Sequence, residues 1–292
     1  MNINKSFLLL LTLFVCPTLA QVPDTDIFLC SLKFDNGKFT FSPPENITNR
    51  VGYDNQPSFS PDGTTILYVS VVDSNQSDIY SYDIKSKKRN RLTSTRESEY
   101  SPVYTPDGKY ISVVRVDADS GQRFYKYPSG DLLHPILVKH TDSIGYSCWL
   151  SDSTLAMFIL GNANTLQVLN LNTGQRTLIA SDIGRCFKLS PDKKKMYFVL
   201  KSNANESYIY TLDCKTFAME RIAPTIPGNE DYAVLPNGEL LMGNEGKLYI
   251  LNATQEWKII ADFTRVMNSF YRLALSTDGT RLALVTYTGK KP

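Results

Sequence analysis

The sequence repeats a short turn motif about every 45 residues. The motif is Ser60-Pro61-Asp62-Gly63, and it returns as Thr105-Pro106-Asp107-Gly108. Weaker copies are Ser190-Pro191-Asp192-Lys193, Leu235-Pro236-Asn237-Gly238 and Ser276-Thr277-Asp278-Gly279. Pro followed by Asp and Gly favours a tight turn between two strands, because Pro fixes φ and Gly accepts a left-handed conformation. A period of this length with strand-like flanks is typical of a β-propeller.

Six copies of the repeat appear when the apolar residue two positions before the Pro-like position is aligned. That landmark residue is, in chain order, Phe59, Tyr104, Trp149, Leu189, Val234 and Leu275, at spacings of 45, 45, 40, 45 and 41 residues. Each copy predicts four strands, a to d. In the first copy, strand a ends at Phe59, and strands b, c and d are 66–70, 78–83 and 91–93. Strand b is nearly continuously apolar, which predicts burial on both faces.

The sixth copy is divided between the two ends of the chain. Residues 280–287 read as a strand b, and residues 26–32 and 38–42 match the missing strands c and d. We therefore predict that Leu284 pairs with Phe28. This pairing would close a six-bladed, all-β propeller that occupies residues 21–292 as a single domain. A two-sheet sandwich is the competing architecture, but it does not explain why the two ends complete one repeat.

Residues 1–20 are predicted to be a secretory signal peptide. Lys5 precedes the apolar run 7–15, and Thr18-Leu19-Ala20 offers a cleavage site. We expect a periplasmic protein. An uncleaved anchor, a lipid anchor on Cys16 and an extracellular location are the alternatives. No later segment is apolar enough to span a bilayer, so no transmembrane segment is expected in the mature chain.

Charge and cysteine content exclude little else. Removing Lys5 leaves 30 basic against 29 acidic residues, a net charge of +1, and there is no basic block that would favour nucleic acid as a partner. The remaining cysteines are Cys30, Cys148, Cys186 and Cys214. Strand parity places Cys148 and Cys186 on the same side of successive blades, and Cys30 is remote from both. We therefore expect free thiols.

The turn Phe59-Ser-Pro-Asp-Gly63, followed by the strands 66–70 and 78–83, resembles the WD40-like Pro-Asp repeat of TolB-type propellers. The resemblance covers residues 24–292 and is weakest in the third copy, where residues 150–153 lack both Pro and Gly. It implies an exported six-bladed propeller. TolB also carries an α/β domain ahead of its propeller, which this sequence does not show, so the resemblance does not imply the full role of TolB in the cell envelope. Similar propellers occur in serine peptidases and pectic-oligosaccharide lyases, so the fold alone does not determine a function.

The loops at one end of the predicted channel contain the candidate binding residues. These are the d–a connections and the b–c loops. The candidate ligand-binding residues are Asp54, Arg96, Glu97, Glu99, His140, Asp142, Arg185, Glu230, Asp231 and Tyr271. Crowded carboxylates with a few cations can bind a cation, contact a basic peptide or act as an acid–base pair. Solvated loop charge is the alternative.

Blade five has the shortest b–c connection. It comprises residues 243–246, against 71–77 in blade one and 115–121 in blade two. We call residues 243–246 the notch, and we predict that a partner enters over it and contacts Glu230 and Asp231. A short loop with no functional role is the alternative.

No catalytic or metal-binding motif is apparent. The sequence has no Gly-x-Ser-x-Gly motif. His134 and His140 lie at opposite ends of a predicted strand d, so no shared imidazole site is expected. The Asp-rich loops 73–77 and 117–121 lack the distal Glu of a calcium loop. We therefore expect no cofactor, no metal and no catalytic residue.

The sequence favours a monomeric, non-catalytic propeller that binds a protein or peptide at its loop-rich channel face. The rival is a carbohydrate-active enzyme, a glycoside hydrolase or lyase, that takes an oligosaccharide and uses channel-mouth carboxylates. Its sugar-stacking aromatics would be the loop residues Tyr53, Tyr100, Tyr146 and Tyr271. Two carboxyl groups about 5 to 10 Å apart beside exposed rings would favour this rival.

Overall fold

The computed structural model describes residues 23–72, 76–203 and 206–288, which form β-strands joined by turns. The predicted leader, residues 1–20 with Cys16, lies outside the described residues, as do 73–75 of the first Asp-rich loop. No helix in the described part of the chain is long and apolar enough to cross a membrane. The strands form one nine-stranded sheet and four four-stranded sheets.

The two ends of the described chain pair within one sheet. The strands concerned are β1 (Thr25–Asp35), β2 (Lys38–Phe41), β3 (Glu45–Asn46), β24 (Arg272–Leu275) and β25 (Arg281–Tyr287). β1 runs antiparallel to β25 with Phe28 opposite Leu284, so the predicted pairing is confirmed. β24 continues the sheet beyond β25, and β2 and β3 pair with the other edge of β1. The N-terminal segment thus supplies strands c and d to a unit whose strands a and b are C-terminal.

The first internal repeat completes the nine-stranded sheet. Its strands are β4 (Tyr53–Phe59), β5 (Thr65–Val71), β6 (Asp78–Asp83) and β7 (Lys88–Arg91). A single parallel bridge between Thr25 and Tyr53 joins it to β1. Six of the seven residues of β5 are buried, as its apolar sequence predicts. β7 begins earlier than the predicted 91–93, because an exposed edge strand of charged residues carries no apolar pattern.

Each of the other four repeats forms a separate four-stranded antiparallel sheet with its strands in sequence order. The second and third sheets contain β8 (Ser98–Tyr104), β9 (Tyr110–Val116), β10 (Gln122–Pro128), β11 (Ile136–Leu137), β12 (Ile144–Ser151), β13 (Thr154–Ile159), β14 (Thr165–Asn170) and β15 (Arg176–Ser181). The fourth and fifth contain β16 (Lys188–Leu189), β17 (Lys195–Lys201), β18 (Ser207–Asp213), β19 (Met219–Pro224), β20 (Tyr232–Val234), β21 (Leu240–Asn244), β22 (Lys247–Leu251) and β23 (Trp257–Asp262). Such a set of sheets is the architecture of a β-propeller.

The first strands of the sheets surround a common axis. β4 contacts β8, β12 contacts β16, β16 contacts β20, β20 contacts β24, and β24 contacts β4 again. Between the second and third sheets, β12 contacts β9 and β10. Apolar side chains pack between neighbouring sheets; Phe158 of the third sheet and Phe198 of the fourth, for example, belong to one buried cluster. Strand a therefore lines the channel of the ring.

The repeated motif forms a turn that its own side chains stabilise. Asp62 accepts hydrogen bonds from the Ser60 hydroxyl at 2.5 Å and from the Thr64 N–H at 3.1 Å. Gly63 has a φ of +69°, a conformation that glycine adopts without strain. Asp107, Asp192 and Asp278 repeat the same pair of bonds in three other units. In the fifth unit Asn237 accepts the equivalent backbone bond from Glu239, which explains why Asn can replace Asp there.

Candidate functional site

Side chains from successive strands a meet at one level of the channel. The pairing register defines this level. In each unit the landmark residue of strand a pairs with one residue of strand b, and the level is that of the strand a residue which pairs three positions further along strand b. In four units this residue is Asn55, Tyr100, Tyr146 or Arg272. Arg185 and Asp231, from just before β16 and β20, complete the level. We call these six residues the channel ring. Successive side chains of a strand point to opposite faces, so residues at the same register position in different units point in the same direction.

Arg185 and Asp231 form the shortest ion pair of the channel ring. The Nη2 and Nε of Arg185 lie 2.5 and 3.1 Å from Oδ2 of Asp231. The side chain of Asp231 is 8% exposed and that of Arg185 is 30% exposed. Burial lowers the pKa of Arg185, but its interactions with Asp231 and Tyr146 together raise the pKa above its ordinary value. Arg185 is therefore charged at neutral pH.

Arg272 is the most deeply buried cation of the channel ring. Its Nη1 donates to Oδ1 of Asn55 at 3.1 Å and its Nη2 to the Tyr146 hydroxyl at 3.3 Å. Its Nε is 3.8 Å from Oδ1 of Asp231, too far for a hydrogen bond. Burial is the largest single influence on Arg272 and lowers its pKa. The Asp231 carboxylate is the strongest of the opposing influences, and the net result is a pKa above the ordinary value. Asn55 in turn donates to the hydroxyl of Tyr271 at 2.6 Å.

A narrow cavity of about 120 Å³ lies within the channel at this level. Residues from the nine-stranded sheet and from the repeats that form the four other sheets line it: Gln56, Ser101, Tyr146, Arg185, Asp231 and Arg272. Lys188 also contacts the cavity. The charged side chains that line it are therefore three cations and one carboxylate.

A wider cavity of about 690 Å³ lies at the notch. Glu230, Asp231, Glu245 and Tyr271 all line it, together with Arg185, which also lines the channel cavity. Residues 243 and 244 of the notch belong to β21, so the turn to β22 consists of residues 245 and 246 alone. It is shorter than the five-residue connections 117–121 and 160–164. Glu230 and Asp231, which the sequence predicts to contact a partner that enters over the notch, line the same cavity as Glu245 of this turn.

The acids at the notch are already paired with cations. Oε2 of Glu230 lies 3.0 Å from Nζ of Lys201, and its Oε1 lies 3.6 Å from Nη1 of Arg185. Asp231 is bound by Arg185 as described above. These carboxylates are therefore not a free acidic patch for a basic peptide or a cation.

The backbone of the notch depends on glycine. A Cβ at Gly243 would come within 2.1 Å of the Phe270 ring. Phe270 is 1% exposed and lines the inner side of the wide cavity. Gly246 has a φ of +73°, and a Cβ there would approach the Met267 carbonyl oxygen to 2.7 Å. The short turn is thus fixed by close packing against residues 267–270.

Three of the four tyrosines predicted in loops are in strands. Tyr53 begins β4, Tyr100 lies within β8, and Tyr146 lies within β12. Burial raises the pKa of Tyr53 to about 12. Tyr271 is outside the strands and stacks on Tyr287, with ring centroids 4.5 Å apart and planes at 20°. Both of these rings line the wide cavity.

Asp54 and Glu99 do not line either cavity. Asp54 is 0% exposed and accepts a hydrogen bond from Arg50 at 2.8 Å. Glu99 is also 0% exposed and accepts from the hydroxyl of Tyr127. Burial raises the pKa of both carboxyls despite these partners. Both were predicted as channel-mouth residues, but the structure places them inside the sheets, one residue before the channel ring.

The other predicted residues are dispersed. Arg96 is exposed and Glu97 half-exposed, in the connection before β8. Asp142 is 69% exposed and lies 3.3 Å from Nε of Arg123. His140 lines a separate cleft of about 500 Å³ formed partly by the turns at 105–107 and 172–174. The structure therefore gathers Arg185, Glu230, Asp231 and Tyr271 at one site and leaves these four residues outside it.

Cysteines and histidines do not form a centre in the described residues. Cys30 and Cys186 are buried, Cys148 and Cys214 are half-buried, and all four are free. Burial raises the pKa of the Cys30 thiol to about 12 and that of Cys186 to about 11. No group of three or more His, Cys, Asp or Glu side chains in this part of the chain is placed to hold a metal ion.

Arg272 is a site residue that the sequence prediction missed. It is the first residue of β24, so a search restricted to the loops did not include it. Its signal was present: Arg272 stands three positions before the landmark Leu275, as Tyr146 and Asp231 do before Trp149 and Val234. Aligning this position across the repeats finds Tyr146, Asp231 and Arg272, three members of the channel ring.

Comparison with known proteins supports the fold. The chain superposes on a candidate TolB from Agrobacterium tumefaciens with a TM-score of 0.67 at 15% identity, covering 91% of this chain and 99% of that one. For TolB from Acinetobacter baumannii the TM-score is 0.58 at 18% identity, covering 89% and 64%. For an oligogalacturonate lyase solved with manganese it is 0.58 at 14% identity, covering 84% and 80%. These likenesses show a TolB-like β-propeller fold.

Sequence comparison also finds similarity to curated proteins. An uncharacterized protein of Agrobacterium fabrum is 33% identical over 132 residues, which is 39% of this chain and 45% of the relative. The match thus spans less than half of that relative, just as this chain spans less than two thirds of the Acinetobacter TolB. No protein-family model matches the chain.

Proposed function

We propose that this chain is an exported, monomeric, non-catalytic propeller that holds a protein or peptide in the cavity at the notch. The observation that carries the proposal is the cavity itself. Its volume of about 690 Å³ is in the range of ligand sites in proteins. Its walls come from several connections of one channel face, and they combine paired charges with two stacked tyrosine rings.

The proposal includes a ring of six blades. Four blades are the separate four-stranded sheets. The nine-stranded sheet divides into two more at the single parallel bridge between Thr25 and Tyr53, with the unit β24-β25-β1-β2 on one side and β4-β5-β6-β7 on the other. The Pro-Asp turn at the head of these units, held by its own side chains, supports descent from the WD40-like Pro-Asp repeat.

Export is proposed from the leader sequence at 1–20. A mature N terminus near Gln21, measured by mass spectrometry on protein from the periplasmic fraction, would support it. Uncleaved protein in the cytoplasm would contradict it. Lipid attached to Cys16 would indicate a membrane-anchored form instead.

Filling the cavity tests the binding proposal. Ser269 lines the wide cavity and Thr173 lines the separate cleft beside His140. We expect Ser269→Trp to abolish binding to an array of random 12-residue peptides, and Thr173→Trp, the matched control, to bind as the native protein does. A steric variant is preferable to charge reversal at Glu230 and Asp231, which would also break the ion pairs with Lys201 and Arg185. Equal binding by the native protein and Ser269→Trp would contradict the proposal, as would an array on which the native protein binds nothing.

A carbohydrate-active enzyme is the second candidate, because Tyr271 and Tyr287 stack in the same cavity as Glu230 and Asp231. Aromatic rings beside carboxylates are a feature of sugar-cleaving sites. Release of new sugar ends from a panel of acidic and neutral oligosaccharides, lost in Glu230→Gln, would favour this function. The ion pairs of both carboxylates argue against it.

A further inference from the structure

The channel end of the site has more positive than negative charge. Arg185, Lys188 and Arg272 line the narrow cavity, with Asp231 as the single carboxylate. Glu230, in the wide cavity, lies 3.6 Å from Arg185 and 3.0 Å from Lys201. Counting Glu230 together with Lys201 gives four cations against two carboxylates, so the positive excess remains. The two guanidinium groups share Asp231: Arg185 binds it at 2.5 Å, while Arg272 approaches it only to 3.8 Å. The acids that suggested a basic ligand in the sequence are therefore outnumbered at this end.

Arg272 is buried with fewer partners than it can use. A guanidinium has five N–H groups. In the described residues, Arg272 donates two hydrogen bonds, to Asn55 and Tyr146, although it is only 9% exposed. A buried charge is costly unless it is paired and hydrogen-bonded. An oxygen anion in the adjoining cavity would supply the missing acceptors, and a carboxylate matches the planar fork of a guanidinium.

The narrow cavity and the wide one share part of their lining. Arg185 and Asp231 line both. The end of a ligand that extends from the notch past the Arg185–Asp231 pair would enter the space of about 120 Å³ that Arg272 lines. Such a space admits the end of a slim chain more readily than a bulky ring. The free end of an extended peptide carries its carboxylate in this form.

We propose that the site recognises the C-terminal carboxylate of a peptide, which lies between Arg185 and Arg272 while the preceding residues occupy the cavity at the notch. This inference rests on the proposed function, since it names the part of the peptide that the site reads. Charge-assisted, bidentate hydrogen bonds to arginine are the strong class of polar contact. A neutral C-terminal amide would place N–H groups against two cations and lose most of this interaction.

Two matched peptide pools test the inference on the unmodified protein. Both contain N-acetylated random tetrapeptides; one pool has free C-terminal carboxylates and the other has C-terminal amides. Binding is followed by saturation-transfer NMR and titration. We expect the carboxylate pool to bind at least about tenfold more tightly, in line with the net strength of a hydrogen bond to a charged group.

Variants localise the effect. Arg272→Gln should reduce the preference for the carboxylate to less than about threefold, and Arg272→Lys should retain part of it, because a lysine keeps the charge but not the bidentate fork. The matched control is Arg221→Gln, which removes an exposed arginine that stacks on Tyr208 on the outside of the fold and should keep the full preference. Should Arg272→Gln fail to fold, Arg185→Gln and the two pools on the native protein still decide the question.

The outcomes separate this inference from the proposed function. Equal binding of both pools, abolished by Ser269→Trp, would overturn recognition of the carboxylate but leave peptide binding at the notch intact. No binding of either pool, with binding of galacturonate oligosaccharides, would overturn both and assign the arginines to an acidic sugar. A carboxylate preference that persists in Arg272→Gln and Arg185→Gln would also overturn the inference.

Discussion

Asp231 and Glu99 look equivalent in the sequence, because each is an acid just before or within a strand a, yet they have opposite environments. Asp231 lines both cavities and shares its carboxylate between Arg185 and Arg272. Glu99 is fully buried against Tyr127, and its Oε2 has no hydrogen-bond partner in the described structure. The first acid belongs to a site, whereas the second belongs to the interior of a blade.

The difference follows from strand register. Glu99 pairs with Arg115, and its neighbour Tyr100 pairs with Val114 at the level of the channel ring. Asp54 precedes Asn55 in the same way. Because successive side chains point to opposite faces of a strand, a shift of one residue moves a carboxylate from the channel into the sheet packing. The place of a residue in a predicted channel-mouth loop therefore does not establish that it binds a ligand.

The largest effect should come from removing the shared carboxylate. We predict that Asp231→Ala lowers the free energy of unfolding by about 3 kcal/mol, because it leaves Arg272 without its counter-charge and Arg185 with only the 3.6 Å contact to Glu230. Chemical denaturation measures this change. Asp142→Ala, which removes an acid that is 69% exposed, is the control and should change the free energy of unfolding by less than about 1 kcal/mol. Equal losses in the two variants would contradict the contrast between site and surface acids.

A smaller effect should come from the notch. Gly243→Ala is expected to cost about 1 to 3 kcal/mol, because the new methyl group would overlap the ring of Phe270. Gly130→Ala is the control, since its Cβ would meet no atom within 4 Å. Thermal unfolding of both variants measures the difference. If both behave alike, the turn at the notch is not fixed by this packing.

The smallest effect should be the pH dependence of Glu99→Gln. Burial raises the pKa of Glu99 in the folded state above its ordinary value of 4.5. The folded state then holds the proton to higher pH than the unfolded state, so ionisation of this group costs stability as pH rises through the folded pKa. We predict that Glu99→Gln has the higher Tm at pH 7 and that its advantage disappears as pH falls towards 4.5. An advantage that grows at low pH would mean that Glu99 is ionised and stabilising.

The repeat predicted more of the fold than of the site. Turn chemistry and apolar landmarks placed the strands, and the match between residues 26–32 and the missing strand c predicted the pairing of Phe28 with Leu284. The channel ring was harder to predict. Bulges in β4 and β8 place Asn55 and Tyr100 four residues before their landmarks, whereas Arg272 stands three before its own. Counting residues back from the turn therefore does not predict which way a side chain points, and so does not show which acids face the channel.

The channel ring exists only if the two ends of the chain meet, because Arg272 of the last unit donates to Asn55 of the first. The most direct test is the double variant Ser31→Cys with Arg281→Cys. These residues are directly opposite each other in β1 and β25. The Leu32 N–H donates to the Thr280 carbonyl, so the next pair, Ser31 and Arg281, is a non-hydrogen-bonded pair. The Cα atoms of such a pair are about 4.5 Å apart, a distance that a disulfide can span. The account predicts an intramolecular disulfide in the folded monomer under mild oxidation, and none when Ser31→Cys is combined with Lys109→Cys. Absence of the cross-link, or its formation only between molecules, would contradict the closed ring.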